Sequence, residues 1–190
     1  MSIERTRHIR RKFIHLKQFK YPLSRIPDER LEELNQILYN QNEVTVYCDS
    51  SVCLGHPLVG LSACYVGCGM TIIESKKVYT EFINKTMYAE LEAVKHAIET
   101  IPKVLLEYSR YSCNPVTITI LSDIHIIEDF IYRGAGKKAY MRALIAEIND
   151  LLESYTDTLN VTVRYIGDEK NQNIFHKASH NSARKAIGKK

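Results

Sequence analysis

The chain has 190 residues, 45% of them hydrophobic and 25% charged, which suits one globular domain with an appendage and a real buried core. Its longest apolar runs, such as residues 116–121, are far too short for a bilayer span of about 20 residues. The basic N-terminus has no apolar stretch behind it, so no signal peptide and a cytoplasmic location away from membranes are expected.

Residues 1 to about 27 read as an appendage, within a basic N-terminal extension covering 1–42 ahead of a main domain over 43–190. Arg5, Arg7, Arg10, Arg11, Lys12, Lys17 and Lys20 stand against Glu4 alone in its first twenty positions. Residues 5–20 fit a basic helix with Ile9, Phe13 and Leu16 as its apolar stripe. Two prolines between 21 and 27 break that pattern. Asp28 then reads as the N-cap of a helix carrying Leu31, Leu34, Ile37 and Leu38, up to about Tyr39. A second basic cluster, Lys177, Arg184, Lys185, Lys189 and Lys190, closes the chain. With a net charge of +4 gathered at the two ends, a polyanionic partner is expected.

After a turn at 40–42 the pattern changes. Residues 44–48, about 60–67, 70–74 and 77–82 read as strand segments of a three-stranded antiparallel meander. A helix follows from Thr86 until Pro102, with Leu91, Val94, Ala97, Ile98 and Ile101 on one face. Residues 116–121 are β-branched and suit a buried strand. A short helix over 126–131, a Gly134-Ala135-Gly136 break, a helix over 140–152, a strand over 161–166 and a helix over about 174–187 complete the chain. The order predicts a five-stranded mixed α/β sheet with helices on both faces. The five cysteines lack paired CxxC spacing, so reduced thiols are expected, with Cys64 and Cys68 as small buried apolar residues.

Three acidic residues occupy unusual places. Asp49 and Asp123 each end an apolar strand, and Glu90 lies in the first turn of the first long helix, beside Ala89 and Leu91. If the first and fourth strands are adjacent and parallel, their C-terminal ends meet, and the helix start can deliver Glu90 there. Carboxylates this close repel one another unless a cation neutralises them. Mg²⁺ or Mn²⁺ suits oxygen ligands, and two such ions about 3.5–4 Å apart support phosphodiester hydrolysis.

These segments resemble the type 1 ribonucleases H: YCDSSVCLGHP at 47–57, NKTMYAELEAVKHAI at 84–98, ITILSDIHIIEDFI at 118–131 and FHKASHNSARKAI at 175–187. The resemblance implies a ribonuclease-H-like fold and a divalent-metal-dependent endonuclease that cuts the RNA strand of RNA–DNA hybrids. It implies a two-metal Mg²⁺ or Mn²⁺ site at Asp49, Glu90 and Asp123, with Ser50 and Ser51 beside the hybrid backbone and Asn84 near its minor groove. His180 stands where the family's fourth acid falls and is expected to take its catalytic, metal-binding place as a neutral imidazole ligand or outer-shell partner, favouring Mn²⁺ over Mg²⁺. The loop over 167–173 has no His, and Asp168 and Glu169 are its acids. There is no Trp for the family's basic handle, and Arg133, Lys137 and Lys138 read as its remnant. A non-catalytic module of the same fold that binds nucleic acid or protein, and a nuclease on another duplex, are the alternatives.

Overall fold

The computed structural model describes residues 26–82, 84–134 and 138–189. The helix expected over 5–20 lies outside them. The elements are α1 (Asp28–Tyr39), β1 (Glu43–Val52), β2 (Leu58–Gly67), β3 (Met70–Tyr79), α2 (Thr86–Ser109), β4 (Thr117–Ser122), α3 (Ile127–Arg133), α4 (Ala139–Glu153), β5 (Asn160–Tyr165) and α5 (Ile174–Ala186). A 3-10 helix, Gly167–Gln172, precedes α5.

The strands form one five-stranded sheet in the order β3-β2-β1-β4-β5. β1 to β3 are an antiparallel meander, whereas β4 runs parallel to β1 and β5 parallel to β4. This is the expected mixed sheet.

Side chains alternate across β1, and the two faces have separate cores. Val44, Val46 and Cys48 join the larger apolar cluster beneath α2, α3 and α4. Tyr47 joins a second cluster with Leu34 and Leu38 of α1 and Ile174 and Phe175 of α5. Gly60 of β2 brings α5 close: a β-carbon there would lie 2.0 Å from the Ala183 carbonyl oxygen. No side chain larger than hydrogen fits, and the contact fixes how near α5 sits to the sheet.

Several expectations change in detail. Asp28 is the first residue of α1, and Pro27 takes the cap position without a side-chain hydrogen bond. The segments 70–74 and 77–82 are one continuous strand ending at Tyr79. α2 does not stop at Pro102 but continues to Ser109. Proline has no N–H for the Ile98 carbonyl, and the Tyr155 hydroxyl donates to that oxygen instead, at 3.3 Å.

The expectation of reduced thiols fails for one pair. Cys68, in the β2–β3 turn, is disulfide-bonded to Cys113, 45 positions further along the chain, with Cα atoms 6.2 Å apart. The fold, not local spacing, brings them together. Cys48, Cys53 and Cys64 are free. Among the described residues, no helix is long and apolar enough to cross a membrane.

Candidate active site

The register of the parallel pair builds the site. Tyr47 lies opposite Leu121, so Asp49 and Asp123 each follow two residues further along neighbouring strands. Asp49 is buried, 4% exposed. By alternation its side chain belongs to the face covered by α5, while Ser50 belongs to the face covered by α2. Ser50 donates from its hydroxyl to Glu90 Oε1 at 2.6 Å. Glu90 sits one full turn into α2, where Ala89 and Leu91 pack fully against the sheet. Its backbone is fixed by the core, and its carboxylate reaches across to β1.

The Asp49 and Glu90 carboxyls are both shifted upward, and the Asp123 charge contributes to each shift. Burial pushes the Asp49 carboxyl up to about 6; the His180 imidazole opposes that shift, and the Asp123 charge adds to it. Burial holds Glu90 well above the usual carboxylate range, with the Asp49 and Asp123 charges acting in the same direction. Burial also raises the Cys48 thiol, and the charges of Glu90, Asp49 and Asp123 follow. Like charges in a desolvated place raise one another in this way, and such perturbation marks functional sites more often than structural ones.

His180 Nδ1 lies 2.9 Å from Asp49 Oδ2. His176, one turn earlier on α5, places Nε2 3.7 Å from the same oxygen. The Asn173 side chain caps α5, accepting from the Phe175 and His176 N–H groups at 3.0 Å. Lys170, in the 3-10 helix, puts its ammonium 3.8 Å from Asp123. Lys170 is an addition that motif matching did not supply, and His176 entered there only as the start of the register that ends at His180. The signal available for His176 was its i, i+4 spacing from His180, which puts both rings on one helix face.

The other candidate residues are spread around this centre. Ser51 is buried at the end of β1. Asn84 has a left-handed backbone, φ 59°, and its side-chain oxygen accepts from the Gly55 N–H at 3.1 Å, tying the β1–β2 turn to the start of α2. Lys138 caps α4 and lies 5.9 Å above the Tyr140 ring. Lys137 lies outside the described residues, as do the side chains of Asp168 and Glu169.

Asp49, Glu90 and Asp123 offer carboxylate oxygens, the donor type that a hard divalent cation takes. Among the described residues no three His, Cys, Asp or Glu side chains form a ready-made metal cage. His180 and Asp49 are instead tied to each other by their hydrogen bond.

A five-stranded mixed sheet in this strand order, with helices on both faces, defines the fold class. The solved structures name it. The ribonuclease H1 of the halophilic archaeon Halobacterium salinarum NRC-1 is 14% identical with a TM-score of 0.55, covering 77% of this chain and 98% of that one. LC11 RNase H1, isolated from compost by a metagenomic approach, is 17% identical with a TM-score of 0.58, covering 77% and 99%. The structure of LC11 RNase H1 in complex with an RNA/DNA hybrid is 18% identical with a TM-score of 0.54, covering 76% and 99%. The chain has the ribonuclease H fold. No protein-family model and no curated protein matches its sequence.

Proposed function

We propose that the protein is a divalent-metal-dependent endonuclease that hydrolyses the RNA strand of RNA–DNA hybrids. The observation that carries the proposal is the approach of Asp49, Glu90 and Asp123 from three separate elements: burial raises the Asp49 and Glu90 carboxyls, and the Asp123 charge raises both further. A protein that only used this fold as a scaffold gains nothing from buried, mutually repelling carboxylates, because each uncompensated charge costs stability. The similarity to a structure solved with an RNA/DNA hybrid supports the choice of substrate.

Asp49, Glu90 and Asp123 would hold Mg²⁺ or Mn²⁺, and His180 would stand where a fourth acid would otherwise serve. When bound, such ions lower the pKa of a coordinated water and stabilise the leaving oxygen. The chain's own residues orient the site. Ser50 holds Glu90 by its 2.6 Å hydrogen bond, and the sheet register fixes Asp49 beside Asp123. Lys170 places a positive charge near Asp123, where it offsets part of the acidic field. Ser51, Asn84, Lys137 and Lys138 would meet the hybrid around this centre, and the basic residues of the 1–42 extension would add phosphate contacts.

The test is cleavage of labelled hybrid, duplex RNA and duplex DNA by the full chain in Mg²⁺, Mn²⁺ and EDTA. Hybrid-selective, EDTA-sensitive cutting is expected. Tight duplex binding with no cleavage in either metal would assign the chain to the non-catalytic reading. That reading draws on the replacement of the fourth acid by His180.

A further inference from the structure

β3 ends the sheet and, among the described residues, pairs with β2 alone. The β2–β3 turn decides which of its backbone groups that pairing uses. Cys68 and Gly69 both have positive φ, 53° and 71°, the type I′ geometry of a two-residue hairpin turn. Gly67 and Met70 are then the closing, hydrogen-bonded pair. The register runs without a bulge from there to Leu58 and Tyr79, and hydrogen-bonded and non-hydrogen-bonded pairs alternate along it. The even-numbered residues of β3 therefore bond to β2. Thr80 keeps the same parity just beyond the strand, donating its N–H to the Pro57 carbonyl at 2.8 Å. Ile73, Ser75, Lys77 and Tyr79 turn their N–H and C=O groups outward. Ser75 and Lys77 are exposed, and Tyr79 is 73% exposed. A free edge of this length is a template for a further strand.

The side chains select the strand that fits. Glu74 and Lys76 lie on the α2 face, where Lys103 holds Glu74 at 2.7 Å and Glu99 holds Lys76 at 2.8 Å. Directly opposite residues of paired strands share a face, so a two-fold antiparallel pairing of β3 with itself must centre on a single residue. Centring on Glu74, Lys76 or Lys77 sets like charges opposite each other, and centring on Ile73 sets Glu74 against Ile72. Centring on Ser75 sets Glu74 of each copy opposite Lys76 of the other. It also sets Ile72 opposite Val78, and Ile73 opposite the aliphatic stem of Lys77; the three apolar side chains are only partly buried in one copy. Both charged groups keep their α2 partners, because an ammonium has three donors and a carboxylate two oxygens. Lysines on an edge strand ordinarily repel a second copy; in this register each meets a carboxylate or an apolar side chain instead. The outward N–H and C=O of Ser75 close the central pair with two hydrogen bonds. We propose that β3 is the interface of a symmetric homodimer, in which two copies join edge to edge over residues 72–78 and their sheets become one.

Sedimentation velocity of the full chain, without nucleic acid, should pass from monomer to dimer between low and high micromolar concentration. Residue-resolved hydrogen exchange needs no variant. The Ile73, Ser75 and Lys77 amides should exchange fast in dilute protein and slow by at least about tenfold as the dimer forms. The even-numbered amides of β3 should be protected at both concentrations. Ser75→Pro removes an N–H that β2 does not use, at an edge position where proline is tolerated. It should keep those even-numbered amides protected while weakening dimerisation at least about tenfold, because both central hydrogen bonds are lost. Glu74→Lys and Lys76→Glu should each lose the homodimer, since like charges then stand opposite each other. An equimolar mixture of the two should regain a dimer, because every charge in that mixed pairing meets its opposite. A wild type that stays monomeric at every concentration overturns the interface, as does a dimer whose three outward amides exchange as fast as in the monomer. Undiminished dimerisation of Ser75→Pro, or a mixture of the two folded charge variants that remains monomeric, overturns the register.

Discussion

The two ends of β1 belong to one strand and are built on opposite terms. Where it starts, polar groups are paired: Thr119 donates to Glu43 at 2.6 Å, and Asn40 Oδ1 accepts the Asn42 and Glu43 N–H groups at 3.0 Å. The Cys68–Cys113 disulfide ties the β2–β3 turn at this end to the segment that leads into β4. Where β1 finishes, Asp49 is buried near the Asp123 charge and held by its hydrogen bond to His180, while the neighbouring His176 Nε2 has no hydrogen bond. α2 connects the two, with Glu90 near its start and Cys113 just beyond its end. The difference teaches that the far end supplies rigidity while the acidic end holds unfavourable electrostatics in place.

The strongest way to break this contrast is to neutralise the acidic end. Asp49→Asn, Glu90→Gln and Asp123→Asn should each lower hybrid cleavage by at least about a hundredfold, because several kcal/mol of charge stabilisation depend on the bound ions. In EDTA the Asp49 and Glu90 variants should melt no lower than wild type, since each removes a repelling charge. Cleavage near the wild-type rate in all three, or a clear loss of metal-free stability in those two, would remove the contrast.

The second prediction acts at the far end. A disulfide closing a loop of this length stabilises by about 3 to 4 kcal/mol in the chain-entropy account. Cys68→Ser, or reduction of the wild type, should lower urea stability by that order. Intrinsic cleavage at temperatures well below melting should stay unchanged. Equal stability with and without reductant would show that the bond does not tie the ends together.

The third prediction concerns His96, in the middle of α2. It is 4% exposed, without a hydrogen bond of good geometry to either ring nitrogen. Burial pushes its pKa down to about 4; the Lys76 charge acts in the same direction and the Glu74 backbone opposes it, with Glu99 and Lys103 also facing the ring. The unfolded ring, near 6.5, takes up a proton as pH falls while the folded ring does not. Stability is therefore complete above pH 6.5 and declines towards pH 4. Between pH 7 and 5 the loss is about 2 kcal/mol for this group. His96→Leu should flatten that part of the urea profile; the same slope in both proteins would show that His96 carries no linkage.

Much of this was legible in the residues. The five-stranded mixed sheet and the helices on both faces follow from period-2 and period-3.6 patterns, and the acids placed after apolar strands pointed to Asp49 and Asp123 as candidates. What the sequence left out depends on distance between remote parts. The Cys68–Cys113 pair is invisible to local spacing because the fold alone brings the β2–β3 turn to the end of α2. Pro102 reads as a stop because helix rules count backbone hydrogen bonds within the helix, and the compensating donor comes from Tyr155, beyond α4. His176 was visible as a residue of α5. Its buried, unpartnered Nε2 follows only from the packing of α5 on the sheet.

The smallest predicted effect tests that compensation at Pro102 and bears on how the far end stays rigid. In a regular helix the N–H of residue 102 would satisfy the Ile98 carbonyl; proline cannot, and Ile98 is completely buried. The Tyr155 hydroxyl, arriving from the α4–β5 connection at 3.3 Å, donates in its place and ties that connection to α2. Tyr155→Phe keeps the ring and removes the donor, so it should cost about 1 kcal/mol, the range for leaving a buried acceptor unpaired. Pro102→Ala restores the missing N–H and should raise stability by itself through helix propensity. The informative quantity is the coupling. In the Pro102→Ala background, Tyr155→Phe should become close to neutral, because Ile98 already has its donor, giving a double-mutant interaction of about 1 kcal/mol. Urea melts of the four proteins measure it. Equal costs in both backgrounds would mean that the hydroxyl does not replace the helix bond, and that α2 passes Pro102 by side-chain packing alone. None of the four should differ in the rate of hybrid cleavage, because the affected carbonyl lies two helical turns past Glu90, on the far side of the contrast.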